Sequence, residues 1–117
     1  MSTFKYLNLD YLELMADGDD DMKQTMIEML LEEVPEEMDK MRDAHANQNW
    51  SELREVSHKM KSTLAFIGND VMTEANKTVE EIAKEADGVE ALPELLATLF
   101  DIYPKSLDEL RSVLATI

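Results

Sequence analysis

Residues 50–68 read WSELREVSHKMKSTLAFIG, and the spacing of their apolar side chains decides the fold. Trp50, Leu53, Val56, Met60, Leu64 and Ile67 recur at steps of three and four, which is one buried stripe of a helix. Each residue turns a helix by about 100°, so His58 stands roughly 160° from Met60, near the middle of the opposite face. Ser51, Arg54, Glu55, Lys61, Ser62 and Ala65 share or border that outer face. An imidazole is thus set on a rigid element, toward solvent, with a lysine one turn on and small side chains beside it. Such a histidine is one that something else must reach.

The same periodicity extends outward along the chain. Asn8 or Asp10 caps a short first helix through Ala16, ended by Asp17-Gly18. Asp19, Asp20 and Asp21 open a second helix, where acids complement the positive N-terminus. Its expected inner stripe is Met22, Met26, Met29, Leu30, Val34, Met38 and Met41, and Pro35 within it should kink or split the helix. A loop at Ala46–Asn49 leads into the third helix, capped by Asn49 or Ser51 and stopped near Gly68-Asn69. The fourth runs from about Asp70 to Ala86 with Met72, Ala75, Val79, Ile82, Ala83 and Ala86 inward, and Asp87-Gly88 breaks it. The last begins at Ala91 or Pro93 and ends at Ala115. Leu92, Leu96, Leu99, Tyr103, Leu107, Leu110, Leu114 and Ile117 form its stripe, with a bend expected at Pro104.

Three glycines and three prolines in 117 residues, with no alternating run of β-branched side chains, leave no room for strands. The fold expected is all-α: an antiparallel four-helix bundle with a short extra N-terminal helix, residues 1–117 forming a single domain. The nine methionines fall mostly on inner stripes and are expected to be flexible core fillers, the alternative being a Met-rich groove for binding.

Composition excludes several functions. The absence of cysteine removes disulfides and thiolate chemistry. No stretch of about 18 apolar residues offers a membrane span, and Met1 to Leu12 does not read as a signal peptide. The expected setting is therefore cytoplasmic. Eleven Lys and Arg are scattered among 26 Asp and Glu, for a net charge of −15. That charge argues against binding nucleic acid, which needs a basic face. Its ordinary consequence is solubility and self-repulsion; a monomer is expected. Residues 52–62 depart from this background, because Arg54, Lys59 and Lys61 outweigh Glu52 and Glu55. A weakly positive spot around His58 would favour an anionic group or an acidic pocket on a partner.

The chemistry open to His58 is narrow. A Ser/His/Asp triad needs an orienting acid and an oxyanion hole, and the pattern supplies neither. Glu55 and His58 form a Glu-x-x-His pair as in di-iron bundles, but those need a second such pair and two more inward glutamates. The other histidine, His45, has Arg42 three residues before it and reads as a solvated or capping residue. No metal is expected. Nucleophilic catalysis by the imidazole itself remains. A neutral ring with an ordinary pKa of ~6.5 is a competent nucleophile near pH 7. To accept a phosphoryl group it needs exposure, a rigid base, a nearby cation and clearance for in-line approach. Lys61 and Ser62, one turn along the same side, meet the last two needs.

The segment Ser57–Gly68, S-H-K-M-K-S-T-L-A-F-I-G, resembles the histidine-containing phosphotransfer (HPt) domains of bacterial multistep phosphorelays. Their motif is a histidine, two residues, a lysine, a glycine and then small residues. His58 matches the phosphorylated histidine and Lys61 the lysine that assists it. Thr63 falls at a small-residue position, and Gly68 matches the glycine at the end of this helix. The likeness takes in Leu9-Asp10 and Leu14 of the opening helix, Pro35, and the Leu107–Leu110 end of the last helix. Ser62 departs from the usual glycine. Serine is still small, and its hydroxyl could donate to a phosphoryl oxygen.

The resemblance implies a relay module that takes a phosphoryl group from one receiver-domain aspartate and passes it to another. Its partners would be response-regulator receiver domains or a hybrid histidine kinase. It would have no cofactor of its own, the magnesium belonging to the receiver. Docking is expected through Arg54, Lys59, Ala65 and Phe66. Met1 and the lack of a linker read as a free-standing protein. A different class, a helical module that docks onto a kinase or regulator without chemistry, would use the same surface and lose nothing in His58→Gln.

Overall fold

The helices begin where side chains can satisfy the orphan amides of a first turn. In the computed structural model, which describes residues 4–117, the Asp19 carboxylate accepts from the backbone N–H of Asp21 and Met22 and starts α2, Asp20–Ala46. Asn49 accepts from Glu52 and starts α3, Trp50–Ile67. Asn69 accepts from Met72 and starts α4, Asp70–Glu85. A short α1, Asp10–Ala16, precedes them, and a 3₁₀ turn at Val89–Ala91 leads into α5, Leu92–Leu114. There is no strand among the described residues. Met1 lies outside them.

Four of these helices close into a ring: α2 packs on α3, α3 on α4, α4 on α5, and α5 back on α2. Connections as short as Gly68–Asn69 force neighbours to run antiparallel. At about 1.5 Å per residue α2 alone is roughly 40 Å long, and it accounts for the long axis of a 43 × 22 × 19 Å body. α1 lies across α2 and α3. The core holds Leu53, Val56, Met60, Leu64 and Ile67 from α3, facing Met72, Ala75 and Val79 of α4 and Leu99, Leu107 and Leu110 of α5.

The structure corrects the expected stripes in several places. On α2 the buried residues are Ile27, Leu30, Val34, Glu37, Met38, Met41 and Ala44, while Met22 and Met29 are exposed. The helix start is apolar on two sides, and the ring buries the Ile27 side. Of the two outcomes open at Pro35, a split is excluded, since α2 is unbroken there; Pro104, where a bend is expected, also lies inside an unbroken helix. On α5 Val113 and Ser106 are buried, whereas Ile117 is exposed. Ala86 is not inward; it is the exposed left-handed cap of α4. On α1, for which no stripe is expected, Leu12 fills the core and Leu14 is exposed. Of the two readings of His45, the capping one fits: it stands in the last turn of α2, half-buried, with its ring 6.1 Å from that of Trp50.

An N-terminal strap locks the ring. Glu109 on α5 accepts from the backbone N–H of Lys5 and Tyr6, Asn69 donates to the Tyr6 carbonyl, and the Asn8 N–H donates to the Ile67 carbonyl. The strap passes so close to the end of α3 that a Cβ at position 68 would stand 2.2 Å from the Asn8 oxygen. Gly68 also holds φ +72°. Gly68→Ala therefore meets a left-handed penalty of about 1–2 kcal/mol and a backbone clash that displaces the strap. A melting temperature lower by at least about 5 °C is expected; an unchanged melt would show the strap to be dispensable.

Candidate functional site

The site is built where α3 and α4 pack. Ser57 and Asn76, both buried, join the two helices reciprocally. The Ser57 hydroxyl lies 2.7 Å from the Asn76 side-chain oxygen and 2.9 Å from its carbonyl, and the Asn76 amide donates to the Ser57 carbonyl at 2.9 Å. Buried polar groups are tolerated when paired in this way. The pairing fixes the register of α3 on α4 at the residue before His58 and one turn before Glu80.

That register brings Glu80 to His58. The imidazole is 71% exposed, while the Glu80 side chain is only 13% exposed. Glu80 Oε2 sits 2.7 Å from His58 Nδ1, and Oε1 sits 2.5 Å from Lys61 Nζ. Since an ionised carboxylate can only accept, a neutral ring carries its proton on Nδ1. Nε2 keeps a lone pair and has no partner among the described residues. The hydrogen bond from Lys61, and then that from His58, hold the Glu80 carboxyl below its ordinary value of 4.5, against the opposing effect of burial. A depressed carboxylate stabilises the fold above its unfolded-state value, and that stabilisation is lost as pH falls through the folded value. The melting-temperature gap between the wild type and Glu80→Gln should therefore be present above pH 4.5 and shrink below it. A gap that widened in acid would contradict the pairing.

The remaining expected site residues are placed around this pair. Lys61, Ser62, Arg54 and Ala65 are all exposed on the His58 side. Ser62 lines a groove of about 240 Å³ between α2 and α3 with Met26, Met29, Leu30, Glu33, Thr63 and Phe66. At that size it is below the ~300 Å³ of small-molecule pockets and fits a side chain. Phe66 is half-buried, with its ring 5.2 Å from Tyr11 of α1. The surface beside the groove is thus apolar and includes exposed Tyr11 and Met29.

The positive spot expected at residues 52–62 is corrected. Lys59 reaches the buried Glu37 of α2 at 3.5 Å, and Lys61 is held by Glu80. Two of the three cations are therefore countered by carboxylates from other helices. Glu80 itself was not found from the sequence, because its partner lies 22 residues away and nothing in the local periodicity marks it.

A profile of the Hpt domain family matches residues 25–116, and the chain belongs to that family. Its general role is therefore histidine phosphotransfer within a phosphorelay. The fold is also that of a solved HPt domain from a sensor hybrid histidine kinase of Shewanella, at TM-score 0.80 and 22% identity over 96% of both chains. No curated protein matches. Among the described residues no helix is long and apolar enough to cross a membrane.

Proposed function

We propose that His58 is the phosphoryl-accepting residue, taking the group from the aspartyl phosphate of one receiver domain and giving it to the aspartate of another. The observation that carries this reading is the ring itself: Nδ1 tied to Glu80, Nε2 open, on an exposed face of a rigid helix. Attack by Nε2 on phosphorus forms the N–P bond. The P–O bond to the receiver's carboxylate breaks, and its electron pair leaves with that carboxylate. Lys61 offsets phosphoryl charge, and Ser62 is small enough to leave the approach clear. Magnesium would be held by the receiver, and no nucleotide is needed.

Docking would use the apolar surface of Ala65 and Phe66 with the groove beside Ser62, and Arg54 at its edge. The receiver would present an apolar side chain to the groove. Lys59, engaged with Glu37, contributes after releasing it. The test is phosphorylation by a charged receiver with His58→Gln alongside.

Lys61→Ala isolates the cation. Its ion pair is half-exposed, and such pairs contribute about 0–1 kcal/mol, so the melting temperature should fall by no more than about 5 °C. Transfer should slow by about tenfold or more, the scale of roughly 1.4 kcal/mol at the transition state. A large drop in melting temperature with unchanged transfer would assign Lys61 to the fold instead.

A further inference from the structure

We propose that Glu80 keeps the phosphorylated His58 ready for onward transfer by holding a proton on Nδ1; the inference rests on His58 being the acceptor. The chemistry of the return step sets the requirement. A neutral ring with Nδ1–H that is phosphorylated at Nε2 becomes a cationic phosphoimidazolium. When phosphorus is attacked by the next aspartate, the P–N bond breaks and its electron pair returns to Nε2. With the Nδ1 proton in place the leaving group is neutral imidazole. With that proton lost to solvent the leaving group is imidazolate, a far stronger base and a far poorer leaving group. Whatever favours Nδ1–H therefore favours onward transfer.

Glu80 is placed for that task. Its Oε2 lies 2.7 Å from Nδ1, the distance of a charge-assisted hydrogen bond. Lys61 on its other oxygen keeps the carboxylate ionised, so a cationic ring meets an anionic acceptor. The buried Ser57–Asn76 pair, one turn before Glu80, holds the carboxylate in register as the ring changes charge. The other charges are accounted for. Arg54, Glu55 and Lys61 lie within one turn of His58 on α3, and Lys77 and Lys84 flank Glu80 on α4. On α2 Glu33 lines the groove beside Ser62, and Glu37 is engaged by Lys59 and Lys40. On α1 Glu13 pairs with Lys23. On α5 Asp101 pairs with Lys105 and Asp108 with Arg111, while Glu109 takes the strap. Among these, Glu80 alone lies within hydrogen-bond distance of the ring. Glu80 is thus a positioning residue, acting on the reacting nitrogen through the other side of the ring.

The test uses the full chain, as wild type, Glu80→Gln and His58→Gln, labelled by a receiver charged with acetyl phosphate. The purified phosphoprotein is given fresh receiver across pH 5–9. Glutamine preserves shape but offers Nδ1 no charge, and its amide can donate to a deprotonated nitrogen. Expected is a Glu80→Gln phosphoprotein whose onward transfer near neutral pH is about tenfold slower, with its pH midpoint lower by about one unit, a tenfold change in proton affinity. An unchanged midpoint in a labelled, folded variant would overturn the inference while leaving His58 as acceptor. A wild type that takes no label, or a label that persists in His58→Gln, would instead overturn the acceptor assignment. If Glu80→Gln takes too little label, nitrogen NMR of the wild-type phosphoprotein decides. Nδ1 protonated at a pH where free Nε2-phosphohistidine is not would support the inference. Nδ1 deprotonated there would overturn it.

Discussion

His58→Gln is expected to take no phosphoryl label from any charged receiver, while its far-UV circular dichroism and melting curve stay those of the wild type. The two halves of that expectation have separate causes. Glutamine has no basic ring nitrogen, so the N–P bond cannot form and acceptance is lost altogether. The fold is spared because the ring is 71% exposed and its one hydrogen bond is to Glu80, which keeps Lys61 as a partner. Substitutions at such surface positions cost about 0.5 kcal/mol or less. The wild-type label should be acid-labile and alkali-stable, as befits a phosphoramidate. A non-catalytic docking module makes a different forecast: receiver binding and biological output would both survive His58→Gln. A persistent label would move the acceptor elsewhere, and His45, half-buried beside Trp50, would be the first place to look.

How much of this was legible in the sequence depends on where each partner lies. The apolar stripe of the third helix was readable, since Leu53, Val56, Met60, Leu64 and Ile67 are all buried and His58 is on the outer face as its phase requires. A helix packed along one side reports its environment through its own period. The second helix was read out of phase at its start, because Met22, Met26 and Met29 keep helical spacing as well as Ile27, Leu30 and Val34 do. Only the packing partners decide which set goes inside. Of the misread methionines, Met26 and Met29 line the groove beside Ser62, so part of that stripe belongs to the surface on which docking is proposed. Ser57 and Asn76 were missed for a related reason. As polar residues they carry no apolar signal, and their burial follows from meeting each other across α3 and α4. Glu80 belongs to the same class. The short local motif gives the histidine and its lysine, but the carboxylate that selects the tautomer comes from the next helix. Pro35 marks the limit of a local rule: it removes one backbone donor, yet tertiary packing carries α2 through unbroken.

Met60→Asp should abolish the cooperative fold. Met60 is fully buried, among the largest such side chains, on the stripe by which α3 enters the ring. Losing its apolar bulk alone costs on the scale of a large-to-alanine change, about 2–5 kcal/mol. The carboxylate that replaces it is taken out of water or must be protonated to stay there, a further cost of several kcal/mol. A domain of this size holds about 5–15 kcal/mol in total, so the sum approaches or exceeds the reserve. The expected readout is loss of the melting transition and of most helical circular dichroism at 25 °C. Ala65→Asp supplies the contrast, because it places the same charge on the same helix but on the exposed face. That variant should melt like the wild type and fail in receiver docking, where a carboxylate would stand beside the apolar groove. If Met60→Asp folded while Ala65→Asp did not, the inner and outer faces of α3 would have to be exchanged. His58 would then lie inside the bundle, beyond the reach of any receiver.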